Sequence, residues 1–140
     1  MREFVFAVVV IVACSGTQRG ADSTVMNESV TIRADKQSYR PGESVTVTIV
    51  STSTAQHTYN PCQRIVERES AGSWTPVREE RMCTMIAHLL EPKQTRTEQT
   101  EMADGIEPGR YRLVILFAEE SSTGASRSVR AATAPLTVVR

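Results

Sequence analysis

The chain has 140 residues, 16 of them basic and 16 acidic, and a formal net charge of zero. That length suits one domain with a short extra segment, and an even spread of charge without a basic stripe or acidic tail argues against a nucleic-acid partner. Aromatics make up only 5% of the residues, so a core must come mainly from Val, Ile, Leu and Met. About 110 residues can bury such a core with a modest margin, which an added covalent link would widen.

Residues 4–13, FVFAVVVIVA, are uninterrupted apolar residues. Ten helical residues rise about 15 Å, half the ~30 Å hydrocarbon core, so the run is too short to span a bilayer. It has the length of a signal-peptide hydrophobic region. The next stretch, Ile11-Val12-Ala13-Cys14-Ser15, resembles the lipobox of bacterial lipoproteins. The resemblance implies cleavage after Ala13, a diacylglycerol thioether on Cys14 and a place in the bacterial cell envelope. Ser15 in the second mature position implies the outer rather than the inner membrane where there are two. On this reading residues 1–13 are the signal peptide, 14–27 a small, polar, flexible tether, and 28–140 the domain. The first expected partner is then the membrane, through two or three acyl chains.

The domain reads as short strands. SVTIRAD alternates with Val30, Ile32 and Ala34 on one face, and Pro41-Gly42 marks a turn. SVTVTIVSTS alternates again, with Val45, Val47 and Ile49 inward and Thr46 and Thr48 outward. RYRLVILFAEE is continuously apolar from Leu113 to Ala118, as for a central strand covered on both faces. SSTGAS is a loop and APLTVVR a closing strand. Turn signals every ten residues or so, without a βα alternation, predict an antiparallel β-sandwich. Within 79–90, Met82, Met85, Ile86, Leu89 and Leu90 follow helical spacing and Pro92 would stop a helix, so a short helix is one reading there and its Met/Leu stripe would belong to the core.

Taken together, YRPGESVTVTIVSTS, NPC, ERESAGSWTPV, LLEPKQT and GIEPGRYRLVILF resemble the Ig-like domains of bacterial envelope lipoproteins, which are related in pattern to the proteinase-inhibitor-like Ig domains of bacteria. The resemblance implies an immunoglobulin-like all-β sandwich of about seven strands over 28–140. A Pro-Gly turn feeding Tyr111 resembles the tyrosine corner, whose hydroxyl caps backbone at the sandwich end. Pro92-Lys93 stands where the pattern has Pro-Gly.

In an exported protein Cys62 and Cys83 are expected to form a disulfide. A two-residue Gly72-Ser73 turn of the II′ kind would pair each residue with the one whose number adds to 145, and that register matches Cys62 with Cys83. Pro76 would then sit opposite Glu69, where it cannot donate, so the ladder needs a bulge or an edge. His57 and His88 share the same symmetry. A Cys/His zinc site is the competing reading, but residues five apart on a strand face opposite sides, and no metal or cofactor is expected.

Neither histidine has a Ser or Cys partner by motif, no Gly-x-Ser-x-Gly turn is present, and the carboxylates around Glu67, Glu69, Glu79 and Glu80 interleave with arginines as on a solvated sheet face. The expectation is therefore no enzyme and no catalytic residue. A binding module would present loops at one sandwich end. Candidate contacts are His57, Tyr59 and Asn60 in 53–61, Asp104 and Glu107 in 98–109, and Ser122 and Thr123 in 121–126. Its partner would be an envelope protein or a polysaccharide. An accessory subunit of an envelope complex and a proteinase inhibitor are the alternatives.

Overall fold

The computed structural model describes residues 29–140. The proposed signal peptide, Cys14 and the tether lie outside them. Two sheets face each other across a core of Val, Ile, Leu, Met, Tyr and Phe. The first sheet holds β1 (Val30–Ala34), β3 (Ser44–Ser51) and β8 (Thr95–Glu101) in the order β1-β3-β8. Its strands alternate as the sequence predicts: Val45, Val47 and Ile49 are buried, while Thr46 and Thr48 point outward. Antiparallel ladders pair Ile32 with Ile49 and Thr48 with Thr97.

The second sheet is built on β9 (Gly109–Glu120). One edge of β9 carries β10 (Ser126–Ala132) and β11 (Leu136–Val138). Pro135 sits in the break between them, where no backbone donor is available. The other edge carries β4 (His57–Tyr59) and β5 (Ile65–Ser70). These are flanked in turn by β7 (His88–Leu90) and β6 (Ser73–Pro76). β2 (Ser38–Tyr39) leaves the path of β1 to join β11 in parallel. The eleven strand segments thus follow seven paths, because β1/β2, β4/β5, β6/β7 and β10/β11 are each one interrupted course. Val114 is fully buried on the outer side of β9, but Leu116 is 47% exposed there, so the cover on that face is incomplete.

Two tight turns share one design. The Glu43 amide donates to the Arg40 carbonyl across Pro41-Gly42, and the Gln94 amide donates to the Glu91 carbonyl across Pro92-Lys93. Gly42 has φ +74° and Lys93 φ +60°. Lys93 therefore occupies the left-handed position that glycine fills in the first turn. A β-carbon on Gly42 would also strike the Asp104 carboxylate, which packs directly on it.

The helix reading of 79–90 fails. Residues 77–87 contain no helix, turn or bend, and strand resumes only at His88. Of the apolar stripe only Leu90 is buried, while Met82, Met85, Ile86 and Leu89 are exposed. The spacing misleads because Cys83, in the middle of it, is tied to Cys62; an extended course satisfies that bond and leaves the apolar side chains outside.

The hairpin register also differs from the expectation. Ala71 (φ +50°) and Gly72 (φ +77°) are both left-handed, so the turn is Ala71-Gly72 of the I′ kind and Ser70 pairs with Ser73. Pro76 faces Glu67 at the end of the ladder, on the edge strand that proline requires.

Candidate partner-binding surface

Between the Glu67–Pro76 pair and the Tyr59–His88 pair, residues 77–87 on the outer strand pass residues 60–66 on the inner one. The outer course is longer by four residues and cannot keep a ladder, so it becomes an irregular strap. The disulfide lies inside this unpaired interval, with Cα atoms of Cys62 and Cys83 5.6 Å apart. It replaces the missing ladder as the link between the two strands.

Several polar groups hold the strap from below. Pro61–Gln63 is a single 3-10 turn capped by Asn60, whose Oδ1 accepts from the Cys62 amide at 3.0 Å. Asn60 Nδ2 donates to the Thr84 carbonyl at 2.8 Å. Arg81 donates to the carbonyls of Cys62 (3.0 Å) and Arg64 (3.2 Å) and pairs with Glu79. Arg64, 7% exposed, lies 3.7 Å from Glu79 and donates to the Glu101 carbonyl. Burial lowers the Arg81 pKa below the usual guanidinium range. The Val77 amide donates to the Val66 carbonyl at 2.7 Å.

Above these anchors the strap is open. Met82 and Met85 are 101% and 89% exposed, Ile86 61% and Leu89 40%. Met82 and Met85 each forgo about 1.5–3 kcal/mol by staying in water, and Ile86 and Leu89 forgo roughly half of that. From Met82 to Leu90 there is no Asp, Glu, Lys or Arg, in a chain where these make up 23% of the residues. Among the described residues no backbone amide from 78 to 87 finds a protein acceptor.

Clefts flank the strap. One of about 410 Å³ lies against the 101–106 loop, with Arg64, Arg78 and Asp104 in its wall. A shallower groove of about 410 Å³ runs along the outer face of the second sheet, walled by Thr58, Asn60, Ala87, Leu116, Ser126 and Ser128. The groove wall carries no charged residue.

The loop residues singled out from the sequence scatter. His57 and Tyr59 are not in a presented loop. They lie in β4 and are buried at 0% and 3% exposure, because alternation turns both toward the core and Thr58 outward. The His57 ring meets Phe117 edge-on, with Nε2 3.3 Å from Glu119 Oε2. Tyr59 Oη donates to Glu98 at 2.5 Å, and His88 Nδ1 lies 2.9 Å from the same oxygen, so the three side chains join β4 and β7 to β8 across the sandwich. Burial, then the Glu98 carboxylate, raises the Tyr59 pKa. The two histidines have different partners, Glu119 for His57 and Glu98 for His88, and both sulfurs are committed to each other. Asp104 and Glu107 sit at one end of the sandwich, and Ser122 and Thr123 in the β9–β10 turn at the other. No single end gathers all three segments. Glu107 pairs with Arg68 at 2.6 Å, and its carbonyl accepts the Tyr111 hydroxyl at 2.7 Å. Only Asn60 and Asp104 come to the strap. The strap is not legible in the sequence, although the stretch 82–90, which lacks Asp, Glu, Lys and Arg, is a signal; its helical spacing points instead to a core helix as one reading.

The geometry defines an antiparallel immunoglobulin-like sandwich whose most exposed apolar surface, among the described residues, is a disulfide-anchored strap. The chain belongs to the bacterial Ig-like domain family, whose pattern it matches over residues 26–128. Ig-like domains of this kind are binding or structural modules and typically not enzymes. No curated protein matches the chain. Among solved structures it is similar to the neutral ceramidase of Pseudomonas aeruginosa, at 17% identity and a TM-score of 0.45, over 77% of this chain and 18% of that one. It is also similar to a PapD-like domain of human CEP192, at 16% identity and a TM-score of 0.40, over 79% and 85% of the two chains. A third similarity is to the sporulation control protein Spo0M of Bacillus subtilis, at 12% identity and a TM-score of 0.39, over 80% and 49%.

Proposed function

We propose that the protein is a non-catalytic, lipid-anchored module of the bacterial cell envelope that presents the 77–87 strap to an envelope or extracellular partner. One observation carries the reading: three large apolar side chains, Met82, Met85 and Ile86, stand in solvent on a segment fixed by a disulfide and by Asn60, Arg64 and Arg81. A monomer that needed only stability would bury these groups; exposed apolar patches of this kind mark interaction sites. Prior fixing also removes the ordering cost of roughly 1–2 kcal/mol per residue that a free loop would meet on binding. The lipobox-like stretch ending in Cys14 supports the anchor, and Ser15 supports the outer membrane.

The test uses the full chain as bait in envelope extract, beside Met85→Glu. Capture of a protein or glycan by the wild type and its loss in the variant is the expected result. Equal capture by both would refute the strap as the surface. Cys14→Ala should release the protein from membranes with its melting curve unchanged, and retention would refute the anchor. A second reading, proteinase inhibition, is favoured by the unbent course of the strap, the shape a protease cleft accepts. Absence of inhibition across serine, cysteine and metalloprotease panels would remove it.

A further inference from the structure

We infer that the occupant of the strap is a second copy of this chain, bound about a two-fold axis. The inference rests on the strap being the binding surface, and three features single out a second copy. The first is charge. Identical copies meeting face to face set like charges against each other wherever the axis brings matching regions together. Residues 82–87 and the adjoining groove wall hold no Asp, Glu, Lys, Arg or His, whereas the cleft on the other side of the strap holds Arg64, Arg78, Glu79, Glu80, Arg81 and Asp104.

The second feature is shape. A protruding apolar ridge (Met82, Met85, Ile86) lies beside a groove floored by the half-exposed Leu116 and edged by Ala87. Ridge and groove side by side on one face are the arrangement that a two-fold makes reciprocal, each ridge entering the other copy's groove. The strap's extended backbone adds to this. The amides of 85–87 have no acceptor and their carbonyls no donor among the described residues, so two straps can pair antiparallel across the axis. The neighbouring β7 edge is less open, because the Leu89 carbonyl already accepts from Arg96 at 2.9 Å. Pairing is therefore confined to the strap.

The third feature is area. Large aliphatic and thioether side chains offer on the order of 150–200 Å² each when fully exposed. Scaled by their fractional exposure, Met82, Met85 and Ile86 of the strap, the adjoining Leu89 of β7 and Leu116 present roughly 500–700 Å² of apolar surface. A standard interface takes about 800 Å² from each partner. The apolar patch thus covers most of a stable interface, and the rim of Thr58, Asn60, Ser126 and Ser128 supplies the polar remainder.

The experiment is analytical ultracentrifugation of the full chain in mild detergent from about 1 to 100 µM, a range that brackets ordinary reversible dimers. Met85→Glu, Ile86→Glu and Met85→Leu are run beside it. Because both side chains are exposed, the variants should melt with the wild type. The expected result is a dimer for the wild type and Met85→Leu, with self-association at least about thirtyfold weaker in the two glutamate variants. A monomer throughout the range overturns the inference, as does a dimer that both glutamate variants preserve, which would place association elsewhere, for instance in residues 4–13. A monomer that still captures another protein in a Met85-dependent way overturns the second copy but leaves the proposed function standing. A monomer whose strap instead drives sedimentation with phosphatidylethanolamine–phosphatidylglycerol vesicles overturns it in favour of a lipid surface.

Discussion

Replacing both Cys62 and Cys83 by alanine should cost the domain about 3 kcal/mol and free the strap. The two cysteines are 21 residues apart, and closing a loop of that length removes about 3 kcal/mol of unfolded-chain entropy. Against a typical total of about 5–15 kcal/mol the loss is large, and at roughly 4–8 °C per kcal/mol it lowers Tm by roughly 10–25 °C. A second, local effect follows from the anchors. Without the disulfide, the strap keeps the Arg81 bonds to Cys62 and Arg64 and the Asn60 bond to Thr84, each worth about 1 kcal/mol net. Fixing the backbone of residues 77–87 costs about 1–2 kcal/mol per residue, so those bonds alone do not hold it. Urea denaturation of the full chain measures the global loss, and hydrogen exchange at the Val77 amide, which donates to Val66, reports the local one. A loss below about 1 kcal/mol, or unchanged protection at Val77, would refute the account of the disulfide as the substitute for a missing ladder.

Ala71→Asn should stabilise the domain by about 0.5–1 kcal/mol, because Asn tolerates the left-handed φ that strains Ala71 and Asn-Gly is the preferred I′ pair; a lower Tm would refute the turn assignment. Tyr111→Phe removes the hydroxyl that caps the Glu107 carbonyl while keeping the ring under Arg68, and should cost about 1–2 kcal/mol in the same denaturation assay; no change would show that the corner is not stabilising. The pH dependence turns on Asp35. Burial pulls its pKa upward, but hydrogen bonds from the Tyr39 hydroxyl and the Thr46 amide outweigh this and hold it below the usual value. The same pair, with burial as the larger cause, pushes the Tyr39 phenol up to about 12. A depressed carboxyl contributes stability that is present above its unfolded pKa of about 4 and lost as pH falls through the folded value. Asp35→Asn should therefore flatten the fall in Tm between about pH 4 and pH 2, and an unchanged acid limb would refute it.

Alternation determined the sandwich without help from the rest of the chain. Val45, Val47 and Ile49 against Thr46 and Thr48 can bury one face only in a strand, and Pro41-Gly42 and Pro108-Gly109 set where strands begin. The cysteine pair was expected for a different reason: if the chain is exported, two thiols have little choice but each other, and Cys62 and Cys83 are indeed joined. Spacing alone could not decide 77–90. A stripe at helical intervals is equally compatible with an extended chain whose side chains face water, and only the bond from Cys83 to Cys62, with the four-residue excess over the inner strand, selects the second. Nor could the loops be sorted from sequence. His57 and Tyr59 disappear into the core because β4 pairs with both β7 and β9, a long-range fact that no local pattern records. Local chemistry thus determined which segments are strands. The tertiary structure decided which of their side chains remain outside, because exposure depends on partners distant in the chain.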